Sequence, residues 1–208
     1  MKFGPLAKQF QYSMIALILM SVCSFRAVAQ NEHSHTQTAQ DQEQTLDQKN
    51  KASALLQIVR ESTERFKDVS VAEKAGYHLM FGCVSGPDAG AMGLHYVNLD
   101  LVGSGVIDPR RPQIVIYEQT PDGHLKLTGA DFLVMADQWN AAHGVAPPQL
   151  ATPQLMGQLF HLFETPNRFG LPAFYTLHVW AWKENPNGAF VNWHPNVSCQ
   201  SFAGATNN

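Results

Sequence analysis

The spacing of apolar residues predicts that the folded domain begins with helices. After residue 45, apolar side chains recur at helical intervals, at Leu55, Ile58, Val59 and Phe66. Thr45 and Gln48 have the spacing of a capping box at the start of this helix. Ser70 and Glu73 repeat that spacing and Gly76 follows them, so a short second helix is predicted.

Beyond residue 77 the pattern changes to β-rich runs. Residues 112–118 and 124–135 flank the turn sequence QTPDG and predict a β-hairpin. Residues 174–182 and 189–193 flank NPNG and predict a second hairpin. The single apolar face of each helix needs a sheet to cover it. The pattern therefore predicts an α+β fold in which two N-terminal helices pack on an antiparallel β-sheet.

The first 29 residues have the features of a signal peptide. Lys2 and Lys8 give a positive start, and residues 14–23 form an apolar run that is short for a membrane span. The small residues of AVA, at 27–29, predict cleavage after Ala29 and export to the periplasm or the medium. No integral membrane segment is expected after cleavage.

Two alternatives for this segment are an uncleaved anchor and a lipoprotein modified at Cys23. The anchor would be short and would end at Arg26, and Val22 occupies the place that Gly or Ala normally holds before a lipidated cysteine. Residues 30–44 are polar throughout and predict a disordered tail, and residues 45–204 predict a single globular domain.

Cleavage also changes the charge and the cysteine count. The whole chain has 14 basic and 17 acidic residues, and loss of Lys2, Lys8 and Arg26 leaves 11 basic ones, a net charge of about −6. This charge argues against nucleic acid as a partner. Cys83 and Cys199 are the remaining cysteines, and one disulfide is their simplest use in an oxidising compartment.

Strand alternation identifies candidate metal ligands. His178 shares a predicted strand face with Thr176, Trp180 and Trp182, and Glu118 ends an apolar stripe, where an unpaired carboxylate is costly. With His95 they would form a set of two imidazoles and a carboxylate, which suits Zn or Cu. The alternative is that each histidine is a core residue whose ring nitrogens are hydrogen-bonded.

Four segments resemble a family of uncharacterised exported bacterial proteins: MGLHYVN (92–98), RPQIVIYE (111–118), LHVWAWKENPNGAF (177–190) and HPNVSC (194–199). The resemblance covers about residues 60–202. It implies a fold shared with that family and directs attention to His95, Glu118 and His178, but it implies no reaction. The family's last motif has Asn at the position of His194, which argues against His194 as an essential ligand.

A second hypothesis is a non-catalytic binding module. Met92, Tyr96, Trp180 and Trp182 would line a groove for a small apolar ligand or a protein partner. These residues could equally fill the core. The sequence has neither a nucleophile elbow nor a Walker motif. It therefore leaves open whether the protein is an enzyme.

Overall fold

The computed structural model describes residues 44–86, 88–146 and 148–207. The predicted signal peptide, at 1–29, and nearly all of the predicted polar tail lie outside the described residues. In chain order, the helices and strands are α1 (Leu46–Thr63), which continues as a 3₁₀ turn (Glu64–Lys67), α2 (Val69–Lys74), β1 (His78–Gly86), β2 (Gly90–Val97), α3 (Leu99–Ser104), β3 (Ile114–Gln119), β4 (Leu125–Met135), α4 (Ala136–Ala142), β5 (Gln154–Leu155), β6 (Gln158–Leu159), β7 (His161–Phe163), β8 (Phe174–Val179) and β9 (Thr206–Asn207).

Most of the domain is one curled, mixed sheet of seven strands that forms half of a barrel. The strand order across the sheet is β7-β8-β4-β3-β2-β1-β9. Neighbouring strands are antiparallel except for β1 and β9, which run parallel. The short strands β5 and β6 pair with each other in a separate antiparallel sheet.

The predicted fold class is therefore wrong. The sheet is mixed and curled, where an antiparallel sheet under two helices was expected. One helix, of 22 residues when the 3₁₀ turn is included, accounts for most of the helical part of the described chain. The second predicted helix, α2, has six residues and is capped by Asp68, whose side chain accepts from the backbone N–H of Ser70. Six residues bury too little apolar surface to form a layer.

The two predicted hairpins have different outcomes. The first is confirmed, because β3 and β4 pair along their length and turn at residues 120–124. The second is wrong, because β8 ends at Val179 and residues 189–193 form no strand. A Cβ on Gly129 would lie 2.3 Å from the Val179 carbonyl oxygen. The chain therefore passes very close to β4 at this point and then turns away from the sheet, with the Trp182 N–H donating to Thr128 O.

Helix α1 covers one face of the sheet. Its start is as predicted, with Thr45 and Gln48 exchanging side-chain and backbone hydrogen bonds in a capping box. Leu55 and Val59 are fully buried in a core cluster with residues of β4 and β8. The opposite face carries a second apolar cluster that is covered by loops, including residues 163–174. Polar side chains that reach into this second face form the candidate site.

The disulfide prediction is confirmed. Cys83, in β1, is bonded to Cys199, with a Cα–Cα distance of 5.7 Å and a sequence separation of 116 residues. The bond fixes the C-terminal segment beside β1, where β9 pairs with Cys83 and Val84. Within the described part of the chain, no helix has the length and apolar character needed to cross a lipid bilayer.

Candidate metal centre

Strand register places three metal-ligating side chains on one face of the sheet. Asp131 on β4 pairs directly with His178 on β8 and, on its other side, with Ile114. Ile116, two positions along β3, pairs with His95 on β2. Because directly paired residues and residues two apart share a face, His95, Asp131 and His178 all point to the side opposite α1.

The three side chains form a compact, buried cluster. One ligand atom from each of His95, Asp131 and His178 lies within 4.8 Å of the other two. The imidazole centroids of His95 and His178 are 6.2 Å apart. The three residues are 4%, 6% and 1% exposed, so water cannot solvate their polar atoms freely.

His95 is held in one tautomer. Its Nδ1 lies 3.1 Å from the carbonyl oxygen of Gly93, which can only accept, so Nδ1 carries the hydrogen and donates. The lone pair of Nε2 is then free for another partner. Burial lowers the pKa of His95 to about 4, although the hydrogen bond to Gly93 opposes the shift. The ring is therefore neutral at pH 7, as a metal-ligating histidine must be.

His178 has an unsatisfied ring nitrogen. Among buried side-chain nitrogen and oxygen atoms of the described residues, its Nε2 is the one without a hydrogen-bond partner. Its Nδ1 lies 4.0 Å from Asp131 Oδ2, beyond hydrogen-bonding distance. Burial, with the neighbouring rings of His95 and His194, holds the pKa of His178 well below its usual value. Leaving a buried nitrogen unpaired costs about 1–3 kcal/mol, so this atom requires an explanation.

Asp131 supplies the carboxylate. The Thr176 hydroxyl donates to its Oδ1 and so orients the group. Burial raises the pKa of Asp131 to about 7, against the opposing effect of hydrogen bonds from Thr176 and from the backbone of Leu177 and Phe132. Among the described side chains, none from Lys or Arg lies within 4 Å of this carboxylate, and the ring of His178, 4.0 Å away, is neutral. A buried carboxylate of this kind is a natural partner for a metal ion.

The structure places Glu118, the carboxylate chosen from the sequence, in a different environment. Its Oε2 accepts from Lys183 Nζ at 2.5 Å, and its Oε1 accepts from the backbone N–H of Ser198 at 3.3 Å. Lys183 also donates to Asn196 O. Glu118 thus anchors the segment that precedes Cys199 to the sheet, and Asp131 takes its place beside the histidines.

The four residues proposed to line a groove are not brought together. Tyr96 packs against Tyr117 in a core cluster with Phe66, on the α1 side of the sheet. Trp182 contacts the same side, where its Nε1 donates to Thr63 Oγ1 and Lys67 lies over its ring.

Trp180 and Met92 lie elsewhere. Trp180 is 2% exposed, and its Nε1 donates to Val191 O. Met92 is the one of the four that borders the pocket beside the metal-ligating cluster. The strand alternation used to group Trp180 with Trp182 ends at Val179, which is why the grouping fails.

An apolar pocket does lie in front of the cluster. Four aromatic rings surround it, from Phe81, Phe163, Phe169 and Phe174. Polar groups reach it from His95, Asp131, Thr176 and Asn192. Its cavity volume is about 30 Å³, which is room for roughly two to three water molecules. His95 and Asp131 both line this pocket, so a small molecule inside it would lie next to them.

Asp131 could have been found by one signal in the sequence. It lies in the middle of the run LTGADFLVM, where an acidic residue interrupts an otherwise apolar strand. A carboxylate at a fully buried strand position needs a partner as much as Glu118 does. What the sequence lacks is the register that pairs Asp131 with His178, 47 positions later in the chain.

The fold and the cluster define a small mixed-sheet protein with a buried His-Asp-His centre. Comparisons with protein-family models, with curated proteins and with solved structures gave no match. The function must therefore be inferred from the geometry and chemistry of the centre itself.

Proposed function

We propose that this protein binds a transition-metal ion through His95, Asp131 and His178. The observation that carries the proposal is the unpartnered Nε2 of His178 inside a buried group of three ligand-type side chains. In a folded protein nearly every buried polar atom is hydrogen-bonded. A metal ion would satisfy all three side chains at once, without a proton on either free ring nitrogen.

The donor set indicates which ions fit. Two imidazoles and a carboxylate suit Zn or Cu, and they also match the two-histidine, one-carboxylate set of non-haem iron proteins. Ligand atoms around a tetrahedral Zn ion lie about 3.3 Å apart, so the 4.8 Å cluster must contract on binding. Side-chain rotation of His178 would allow this, because its Nε2 has no hydrogen-bond partner and its Nδ1 lies 4.0 Å from Asp131 Oδ2.

Three protein ligands are typical of catalytic and not of structural zinc sites. A fourth position would be left for water or a substrate, and the pocket beside His95 and Asp131 gives access to it. A bound zinc ion would lower the pKa of a coordinated water molecule and supply a nucleophile near neutral pH. The hydrogen bonds from His95 to Gly93 and from Thr176 to Asp131 would orient the ligands.

We also propose that the protein acts after export. Disulfides persist in oxidising compartments, and the Cys83–Cys199 bond supports that location. The signal-peptide pattern of residues 1–29 supports it independently.

Elemental analysis tests the metal proposal directly. Mature protein purified after export, without a His tag, is expected to contain about one equivalent of Zn, Cu or Fe per chain. A variant lacking His33 and His35, the pair in the polar tail, should retain the metal. Protein without stoichiometric metal that also fails to take up Zn, Cu(II) or Fe(II) during dialysis would contradict the proposal.

A matched pair of amide substitutions identifies the carboxylate ligand. Asp131→Asn should release the metal, because it removes the charge and one ligand oxygen, whereas Glu118→Gln should retain it, because Glu118 pairs with Lys183. The measurement is the metal content of both folded variants after gel filtration. The reverse result, with metal lost only from Glu118→Gln, would favour the ligand set chosen from the sequence.

The stability of the metal-free protein should fall in acid. Between pH 4 and 6.5 the unfolded chain binds protons at His95 and His178, whose pKa values are lowered by burial in the folded protein. In the same range the folded protein keeps a proton at Asp131, whose pKa burial raises to about 7. The unfolded chain therefore binds one proton more in total.

Near pH 5, where the histidines of the unfolded chain are protonated, that difference corresponds to a loss of about 1 kcal/mol of stability for each unit by which the pH falls. Urea unfolding in EDTA at pH 6.5, 5.5 and 4.5 measures the slope. A free energy of unfolding that stays constant or rises over this range would show that the two rings are not buried and neutral in solution.

A further inference from the structure

We infer that the pocket beside the cluster binds a small, uncharged, largely apolar molecule with one hydrogen-bonding group. The inference deepens the proposed function, since the polar group of the ligand would meet the ion held by His95 and Asp131. The apolar part of the ligand would contact only side chains of the protein, so binding of that part does not require the ion.

The shape of the pocket sets the class of ligand. Its aromatic wall is continuous, with the rings of Phe81 and Phe169 5.4 Å apart and those of Phe163 and Phe174 stacked at 5.0 Å. Polar groups are confined to His95, Asp131, Thr176 and Asn192. An apolar pocket with a few convergent polar groups is the usual form of a small-molecule site.

The burial of the site and the volume of the cavity restrict the class of ligand further. Asp131 is only 6% exposed, and the same burial would penalise a second charge placed beside it. A cavity of about 30 Å³ accommodates only about three heavy atoms without movement of the walls. Short aliphatic alcohols, aldehydes, ketones and amides have this combination of properties.

We infer that Phe81, one of the residues that line the pocket, limits its size. It lies in a two-residue bulge, because Met80 pairs with His95 and Cys83 pairs with the preceding residue, Leu94. Its φ of 66° is in the left-handed region, which is unfavourable for a bulky residue. A Cβ on the next residue, Gly82, would lie 1.8 Å from Ala205 O, so the bulge is held from outside by the C-terminal segment. The bulge places the Phe81 ring in the wall of the pocket, to which His95 also contributes.

A series of primary alcohols tests the inference. We expect the affinity for primary alcohols to strengthen about four-fold for each methylene added from methanol to 1-propanol. Longer alcohols should gain nothing further, because the four heavy atoms of 1-propanol already fill a cavity that accommodates about three. The Kd values come from ¹H–¹⁵N spectra, read at the backbone amides of residues 81 and 163–174. The titration is made once with EDTA-treated protein and once with zinc-loaded protein.

Comparing EDTA-treated with zinc-loaded protein distinguishes a failure of this inference from a failure of the metal proposal. Chain-length dependence in both states, or in the zinc-loaded state alone, supports the pocket as a ligand site. Chain-length dependence in EDTA-treated protein that takes up no metal would uphold the pocket while the metal proposal fails. No chain-length dependence in either state, or shifts confined to amides away from the pocket, would overturn the inference.

Phe81→Gly provides the matched test of size selection. Glycine adopts a positive φ without strain, so the variant removes the ring without adding a backbone cost. The affinity of this variant for primary alcohols should continue to rise through 1-hexanol, and an unchanged cut-off at 1-propanol would overturn the role of Phe81.

If Phe81→Gly does not fold, a second variant can test the same inference. Leu171→Phe adds bulk to the pocket wall and should reduce 1-propanol affinity at least ten-fold. Undiminished binding of 1-propanol by folded Leu171→Phe protein would show that the alcohols bind elsewhere.

Discussion

Replacing His178 with leucine should abolish metal binding and leave the metal-free protein at least as stable as wild type. Loss of one of three ligands is expected to weaken the metal affinity by more than about 100-fold, since even outer-shell changes cost 10–100-fold. Leucine also removes the buried Nε2 that has no hydrogen-bond partner. An unpaired polar atom costs about 1–3 kcal/mol, and a size-conserving apolar substitution costs less than about 1.5 kcal/mol. The free energy of unfolding in EDTA should therefore be unchanged or about 1 kcal/mol higher.

His194 is the matched control for this substitution. It is as fully buried as His178, but both of its ring nitrogens are engaged: Nε2 donates to Glu184 O, and Nδ1 accepts from the N–H of Asn196. His194→Leu should retain the metal and lose about 1–3 kcal/mol of stability, because it leaves two backbone groups unpaired.

The measurement compares both variants with wild type by metal titration and by urea unfolding in EDTA. If His178→Leu destabilises the metal-free protein as much as His194→Leu does, His178 is an ordinary core histidine. Its Nε2 would then have a partner in solution, and the argument for the metal would lose its main support. The acid dependence predicted above should also be reduced in His178→Leu, because the unfolded chain then binds one proton fewer.

Removing the disulfide should produce the largest loss of stability. Cys83→Ser with Cys199→Ser is expected to lower the free energy of unfolding by about 4 kcal/mol, since the bond closes a loop between residues 116 positions apart. The bond also holds the edge of the sheet, because β9 and the Ala205 carbonyl, which accepts from the Cys83 N–H, follow it directly.

Guanidinium unfolding of the double variant and of oxidised wild type at one pH measures the difference. Wild type that has been reduced and alkylated is the control, and mass spectrometry should show that both thiols react only after reduction. A loss below about 1 kcal/mol, or alkylation of both thiols without reductant, would contradict this prediction.

The same bond has a consequence for the pocket. Ala205 O closes over Gly82 at the bulge, so the C-terminal segment supports the conformation that presents Phe81. The serine double variant should accordingly bind 1-hexanol relatively better than wild type does, as Phe81→Gly is expected to do.

Local signals in the sequence were sufficient for some elements and misleading for others. The capping box at Thr45 and the hairpin of β3 and β4 were predicted correctly, because each depends on residues only a few positions apart. Trp180 and Trp182 continue the alternation of β8, so the sequence indicates a longer strand than the protein has. The strand ends where Gly129 lets the Val179 carbonyl approach β4, a contact between residues 50 positions apart.

The choice between Glu118 and Asp131 shows the same limit at the site. Asp131 interrupts an apolar strand and Glu118 ends one, and both carboxylates therefore need partners. Lys183, which follows β8 in an irregular segment, reaches Glu118 and neutralises it. The pairing of β4 with β8 places Asp131 beside His178 instead. Neither assignment can be made from strand alternation, because alternation gives the face of a side chain and not its neighbour across the sheet.

Residues close together in the chain and the count of cysteines were enough to predict the start of α1, the first hairpin and the Cys83–Cys199 pair. They also identified His95 and His178 as residues to test. The curl of the sheet, its parallel edge strand, the partner of each carboxylate and the bulge at Phe81 were decided by tertiary structure. The physical reason is that strand register minimises the free energy of the whole sheet at once. The burial of residues far apart in the sequence contributes to that minimum, so no short segment determines the register by itself.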